Sequence, residues 1–184
     1  MADSDRVRYH TARETVPEEH RHHYDAIAES RGGVRGPFSV LLNSPELAGR
    51  VGHLGAYVRF ESELPDADRE LTILATARAF DCAFEWAAHE PIAREAGVSG
   101  ATIDHVADSG PVDELPDREA RLVSYVRELI DEHAVSDATF EAARDRYGES
   151  GVTELTGTIG YYAMLACVLN ALEVVPDADR PQLP

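Results

Sequence analysis

Apolar residues recur three and four positions apart through most of the chain, interrupted by Gly, Pro, Ser and Asp, and the alternation of a half-buried strand is almost absent. Each interruption separates one expected helix from the next. In TVPEEHRHHYDAIAESRGG, Thr15 is the expected N-cap, Glu18 its capping-box partner, Pro17 a tolerated first-turn residue and the glycines the stop. After a loop with Gly36 and Pro37, Ser44 opens a helix on which Leu47, Val51, Leu54 and Val58 recur. Asp66 is the expected cap of PDADRELTILATARAF, with Leu71, Leu74, Ala75 and Arg78 on one face. A further helix is expected from Asp81 to Glu90, with Pro91 kinking or restarting it just after His89. Ser99 then caps a short helix through Val106.

The second half follows the same grammar. PDREARLVSYVRELIDEHAV predicts one amphipathic helix, and SDATFEAARDRYG predicts a helix capped by Ser136 and Asp137 and ended by Gly148. The closing segment GVTELTGTIGYYAMLACVLNALEVV is apolar nearly all round, which predicts burial in a core or between subunits. The tail PDADRPQLP is expected to be loose. The pattern implies an all-α, single-domain helical bundle: an extension with one helix over 1–35, the main domain over 36–175 and the tail over 176–184.

Charge sharpens this picture. The chain of 184 residues carries a formal net charge of -17, and all 17 of its basic residues other than histidine are arginine. Such a surface repels phosphate backbones and anionic lipid, so neither nucleic acid nor membrane is an expected partner. It reads as an acidic, halophilic surface. No apolar run approaches the roughly 20 residues of a membrane span, and the first thirty residues lack the apolar centre of a signal peptide, so a cytoplasmic location is expected. Cys82 and Cys167 are too few and too far apart for a disulfide scaffold.

The stretch DCAFEWAAHEPIAREAG carries the candidate chemistry. On a helix, Cys82, Glu85 and His89 share one stripe, with Trp86 beside them. A carboxylate four residues before an imidazole can fix its ring, and a nearby imidazolium favours a thiolate. An exposed Glu/His pair and a small buried cysteine would have the same spacing, so the pattern alone leaves both readings open. Nothing further near the stripe resembles a metal-ligand pattern, and no metal or cofactor is expected. His20, His22 and His23 sit on the polar first helix and are expected to face solvent.

The segment from Glu70 in DRELTILATARAFDCAFEWAAHEPIAREAGVS, with its flanks from about Gly36 to Val175, resembles the carboxymuconolactone decarboxylase family, which includes the alkylhydroperoxidase-like proteins. The resemblance implies an all-helical fold assembled as homotrimers or homohexamers. In alkylhydroperoxidase-like members two thiols in a C-x-x-C carry the peroxide chemistry while a glutamate and a histidine relay protons. Cys82 matches the first thiol, Glu70 the relay glutamate and His89 the histidine, whereas Glu85 stands in place of the second thiol. The run Glu85-Trp86-Ala87-Ala88-His89 is similar to the decarboxylase branch. That likeness implies acid/base chemistry on a small carboxylated lactone or carbonyl acid, with His89 as general acid, Glu85 orienting it and Glu70 completing the proton path. A single-cysteine thiol peroxidase and a non-catalytic ligand-binding oligomer are the alternatives. Arg78 and His53, with Trp86, are the expected substrate-binding residues, and Arg59 and Arg69 are further cations near the motif. Cys167, within MLACVLNAL, reads as a core residue.

An all-arginine surface of this charge predicts that the thermal midpoint climbs steeply between dilute buffer and molar salt. A flat dependence, measured by calorimetry, contradicts salt adaptation.

Overall fold

Eight α-helices form among residues 6–184, which the computed structural model describes: α1 Arg21–Arg31, α2 Pro37–Leu41, α3 Pro45–Ala56, α4 Asp66–Ala79, α5 Ala83–Glu95, α6 Gly100–Ala107, α7 Asp117–Arg127 and α8 Asp137–Ala171. No strand occurs among the described residues. The chain divides into two compact units, one running to Ser62 and taking in Cys167–Val175, the other comprising Glu63–Ala166 and Pro176–Pro184. The boundary near residue 166 falls inside α8.

In the first unit α3 packs against α1 and α2. The buried side of α3 is Ala48, Val51, Gly52 and Gly55, whereas Leu47 and Leu54 are 48% and 50% exposed. The expected face of four large residues is therefore split. Glycine explains the choice of side: a Cβ on Gly52 would lie 3.0 Å from Ile27 Cγ1, so the close approach of α1 is made over small residues. Thr15 does not cap α1. It lies in a 3₁₀ turn, Arg13–Thr15, where its hydroxyl donates to the Ala12 carbonyl at 2.6 Å. Pro17 forces this outcome by holding Val16 extended (φ -95°, ψ 136°), and α1 begins only at Arg21.

The second unit is organised by α4, which packs against α5, α6 and α7. Its buried residues run almost without interruption from Asp68 to Ala77, so it is a central helix rather than the one-faced helix its leucines suggest. Its two buried threonines return their hydroxyls to their own helix, Thr72 to the Asp68 carbonyl at 2.7 Å and Thr76 to the Thr72 carbonyl at 2.8 Å. Asp68 is 3% exposed and is met from two other helices. Arg118 of α7 donates to Oδ1 at 2.5 Å, while Arg146 and the Tyr147 hydroxyl of α8 donate to Oδ2 at 2.9 and 2.8 Å. Burial, then the bond to Asp68, pushes the Tyr147 hydroxyl up to about 12.

Several boundaries follow local chemistry. The Ser99 hydroxyl accepts from the Thr102 amide at 3.1 Å and caps α6; the Ser136 hydroxyl faces the Thr139 amide at 3.4 Å at the start of α8. Gly148 breaks α8 with φ 70° and ψ -179°, a conformation that side chains strongly disfavour. Of the two outcomes expected at Pro91, a kink or a restart, the restart does not occur: α5 runs from Ala83 to Glu95 with the proline inside. Its missing amide removes one bond to Ala87 and leaves the neighbouring turns to carry the helix. The apolar stretch of α8 also exceeds the sequence expectation, since an 18-residue window has mean hydropathy 1.3 and would suffice by length and composition to cross a membrane, although half of it is buried within the protein. Cys167 corrects the core reading in turn, because it is exposed.

Replacing Asp68 with alanine removes the shared acceptor of two helices and is expected to lower stability by about 2–3 kcal/mol in chemical denaturation. A loss below about 0.5 kcal/mol, the range of ordinary surface substitutions, contradicts the role given to this carboxylate.

Candidate active site

The candidate site grows from the junction of α4 and α5. The chain leaves α4 after Ala79 and turns at Asp81, whose φ of 48° is unusual for a residue with a side chain. Cys82 follows as the N-cap of α5 (φ -87°, ψ 88°). It is therefore outside the helix that was expected to carry it, while Glu85, Trp86 and His89 lie on the first two turns within. One turn of helix then returns the His89 ring over Glu85.

Burial distinguishes this group from an exposed ion pair. Cys82 is 0% exposed, Glu70 and Trp86 2%, and Glu85 and His89 4%. His89 stands between two carboxyls. Its Nδ1 is 2.7 Å from Glu70 Oε2, a strong hydrogen bond linking α5 to α4, and its Nε2 is 3.5 Å from Glu85 Oε2, a looser approach. The ring of Tyr162, from α8, meets the imidazole edge-on with centroids 5.1 Å apart, and Tyr161 packs edge-on against Tyr162 at 5.2 Å. On the far side of Glu70, Arg69 Nε lies 3.6 Å from Oε1 while its Nη2 donates to Asp66 at 2.8 Å.

Glu70, Glu85 and His89 are thus brought into one buried cluster. Two aspects of this were not visible in the motif. The sequence signal of Tyr162, a pair of aromatic hydroxyls in the most apolar helix, says only that the rings must find neighbours. Arg69 was noted as a nearby cation without its role beside Glu70. Arg78 is placed differently: it pairs with Asp81 and lines a separate hollow of about 370 Å³ with Ala75, Val106 and Arg127. Eight residues of helix carry it about 12 Å along the axis from Glu70, which accounts for the separation. His53 is exposed on α3, in the other unit. Trp86 is a core side chain of α5 by its burial.

Chemically, an imidazole gripped at one nitrogen and approached loosely at the other can hold a proton on the loose side and refill it through the gripped side. The short Glu70 bond fixes ring orientation. The wider Glu85 gap is where a proton can be exchanged.

Solved structures with the same fold include an uncharacterised peroxidase-related protein from Ralstonia eutropha JMP134, described as an alkylhydroperoxidase AhpD core. It is 19% identical, with 95% of this chain and 94% of that chain covered and a TM-score of 0.74. A second peroxidase-related protein, from Silicibacter sp. TM1040, is 14% identical over 100% and 99% of the two chains, with a TM-score of 0.74. A protein of unknown function from Agrobacterium tumefaciens is 20% identical over 78% and 99%, with a TM-score of 0.63. At these identities the likeness establishes the fold. None of the curated proteins matches the sequence. Residues 45–128, from the start of α3 to the residue after α7, match the Carboxymuconolactone decarboxylase family and contain Glu70, Cys82, Glu85 and His89. By this match the segment that carries the candidate site is similar to the carboxymuconolactone decarboxylase family.

Proposed function

We propose that the protein is a lyase of the carboxymuconolactone decarboxylase type, acting on a small carboxylated lactone or carbonyl acid through Glu70, His89 and Glu85. The observation that carries this reading is the single imidazole held between two buried carboxyls. In this reading His89, in contact with both carboxyls, is the acid that delivers the proton, and Glu70 and Glu85 are the groups that pass it on. In the reaction, the bond to the carboxyl carbon breaks, carbon dioxide leaves, and the electron pair passes into the conjugated carbonyl. The proton on His89 Nε2 is delivered to carbon, and water restores it through the relay. Trp86, Arg78 and His53, expected from the sequence to contact substrate, are not part of this proposal: Trp86 is buried, Arg78 lines a separate hollow, and His53 is exposed on α3. The exposed apolar residues Leu47, Leu54, Tyr57 and Phe60, the last 58% exposed, support assembly as a homotrimer or homohexamer.

A second reading, a single-cysteine thiol peroxidase, is favoured by the place of Cys82 at the amino end of α5, where the helix dipole favours negative charge. There the thiolate sulfur would form a bond to the distal peroxide oxygen as the O–O bond breaks and the alkoxide leaves with a proton. An external dithiol would then reduce the sulfenic acid and release water.

The decisive comparison is of Glu85→Gln, His89→Asn and Cys82→Ser, assayed for carboxymuconolactone decarboxylation and for hydroperoxide consumption with a dithiol donor. Under the first reading the two relay variants lose about 100-fold or more in kcat while Cys82→Ser retains most of its activity. Peroxide turnover abolished by Cys82→Ser, with no decarboxylation in the parent, establishes the second reading instead. Thiol titration of the folded protein is expected to modify exposed Cys167 promptly and buried Cys82 slowly, and Cys167→Ser is expected to remove the fast phase. Two equally fast thiols would contradict the burial of Cys82.

A further inference from the structure

A second cluster of chemically competent side chains lies in the first unit, on elements other than those of the candidate active site. His20 ends the 3₁₀ turn Glu18–His20, His23 lies in the first turn of α1, and Glu46 in the first turn of α3. One ligand atom from each falls within 4.8 Å of the other two. His23 Nε2 is 3.1 Å from Glu46 Oε1, and His20 Nδ1 is 4.0 Å from the same oxygen. Only His22 of this histidine run is exposed; His20 and His23 are partly buried, contrary to the solvent-facing position expected of all three.

Three features prepare the cluster. Arg50, one turn on from Glu46, donates to Oε2 at 2.8 Å and to the Glu46 carbonyl at 3.0 Å, which leaves Oε1 turned to the imidazoles. Gly49 makes room for the ring: a Cβ there would lie 2.2 Å from His23 Nδ1. His22 packs on His23 with centroids 3.9 Å apart, and its own Nδ1 lies 3.1 Å from the Glu19 carbonyl. A carboxylate oriented by a second donor and an imidazole fixed by its surroundings are the supports that metal ligands ordinarily have.

We propose that His20, His23 and Glu46 bind one divalent transition-metal ion of the zinc, cobalt or nickel kind, tying the start of α1 to the start of α3. Two imidazoles and one carboxylate are a nitrogen-and-oxygen donor set suited to these ions, and Glu46 is exposed enough to leave a coordination position open to water. Metal bonds of about 2.0–2.2 Å require the three donor atoms to draw together by about an ångström, within the reach of surface side chains whose backbones are already positioned. The acidic surface concentrates cations around the whole molecule, and the imidazoles select a transition metal over calcium or magnesium.

The test uses the full chain, without any histidine tag and after chelator treatment, titrated with zinc by calorimetry and with cobalt by visible spectroscopy. The expected result is one ion per chain, with cobalt giving the ligand-field bands of a low-coordinate nitrogen/oxygen site. His23→Ala and His20→Ala are each expected to weaken zinc binding by about ten-fold or more, and Glu46→Gln similarly, while His105→Ala leaves it unchanged. Circular dichroism of each variant separates lost ligands from lost structure, and a variant with parental helicity and parental affinity overturns the assignment. So does a parent chain that takes up no cobalt or zinc at micromolar concentration. These outcomes are independent of the reaction assigned to His89, because the readout is binding alone.

Discussion

A carboxylate removed from water must be answered by donors, and α4 carries two of them, Asp68 and Glu70, each at most 3% exposed. Two residues apart on one helix, they point in different directions and recruit different partners. Asp68 gathers Arg118 from α7 with Arg146 and Tyr147 from α8, and Glu70 gathers His89 from α5 with its neighbour Arg69. The second unit therefore has polar fasteners on more than one side of its central helix. Apolar packing alone would accept many rotations of α4; two buried acids with fixed partners accept few. The rotation that satisfies Asp68 is the one that presents Glu70 to His89, so a contact with no chemistry of its own helps aim the one that has it.

The division between readable and unreadable features follows sequence distance. Helix order, the Ser99 cap and the break at Gly148 are all set by residues within one turn of the feature, and each was legible. The Glu85/His89 pair was legible for the same reason, being one turn of a single helix. The bond from His89 to Glu70 spans 19 positions and was legible only through the family resemblance. The Asp68 hub spans 50 to 79 positions and left no local sign, since an Asp at the start of a helix is also an ordinary first-turn acid. Periodicity misled where burial was not one-sided. On α4 everything in the middle is buried, and on α3 glycines rather than leucines mark the inner face. Thr15 failed as a cap because the proline two residues on overrode the capping preference.

Proton chemistry and redox chemistry make different demands on the residues at this site. Under the proposed lyase reading, a proton given up by His89 returns from water, and the three side chains regain their starting state without a co-substrate. An oxidised Cys82 has no such route within its own helical turn, because Glu85 occupies the position one turn on where a resolving thiol would attack. The carboxylate can pass protons but cannot supply two electrons. It also stands 3.5 Å from His89 Nε2, within reach of a proton on the imidazole. The substitution of an acid for a thiol thus removes one half of a redox cycle and strengthens one half of an acid/base cycle. That asymmetry is the physical reason for ranking the proposed lyase reading ahead of the peroxidase reading.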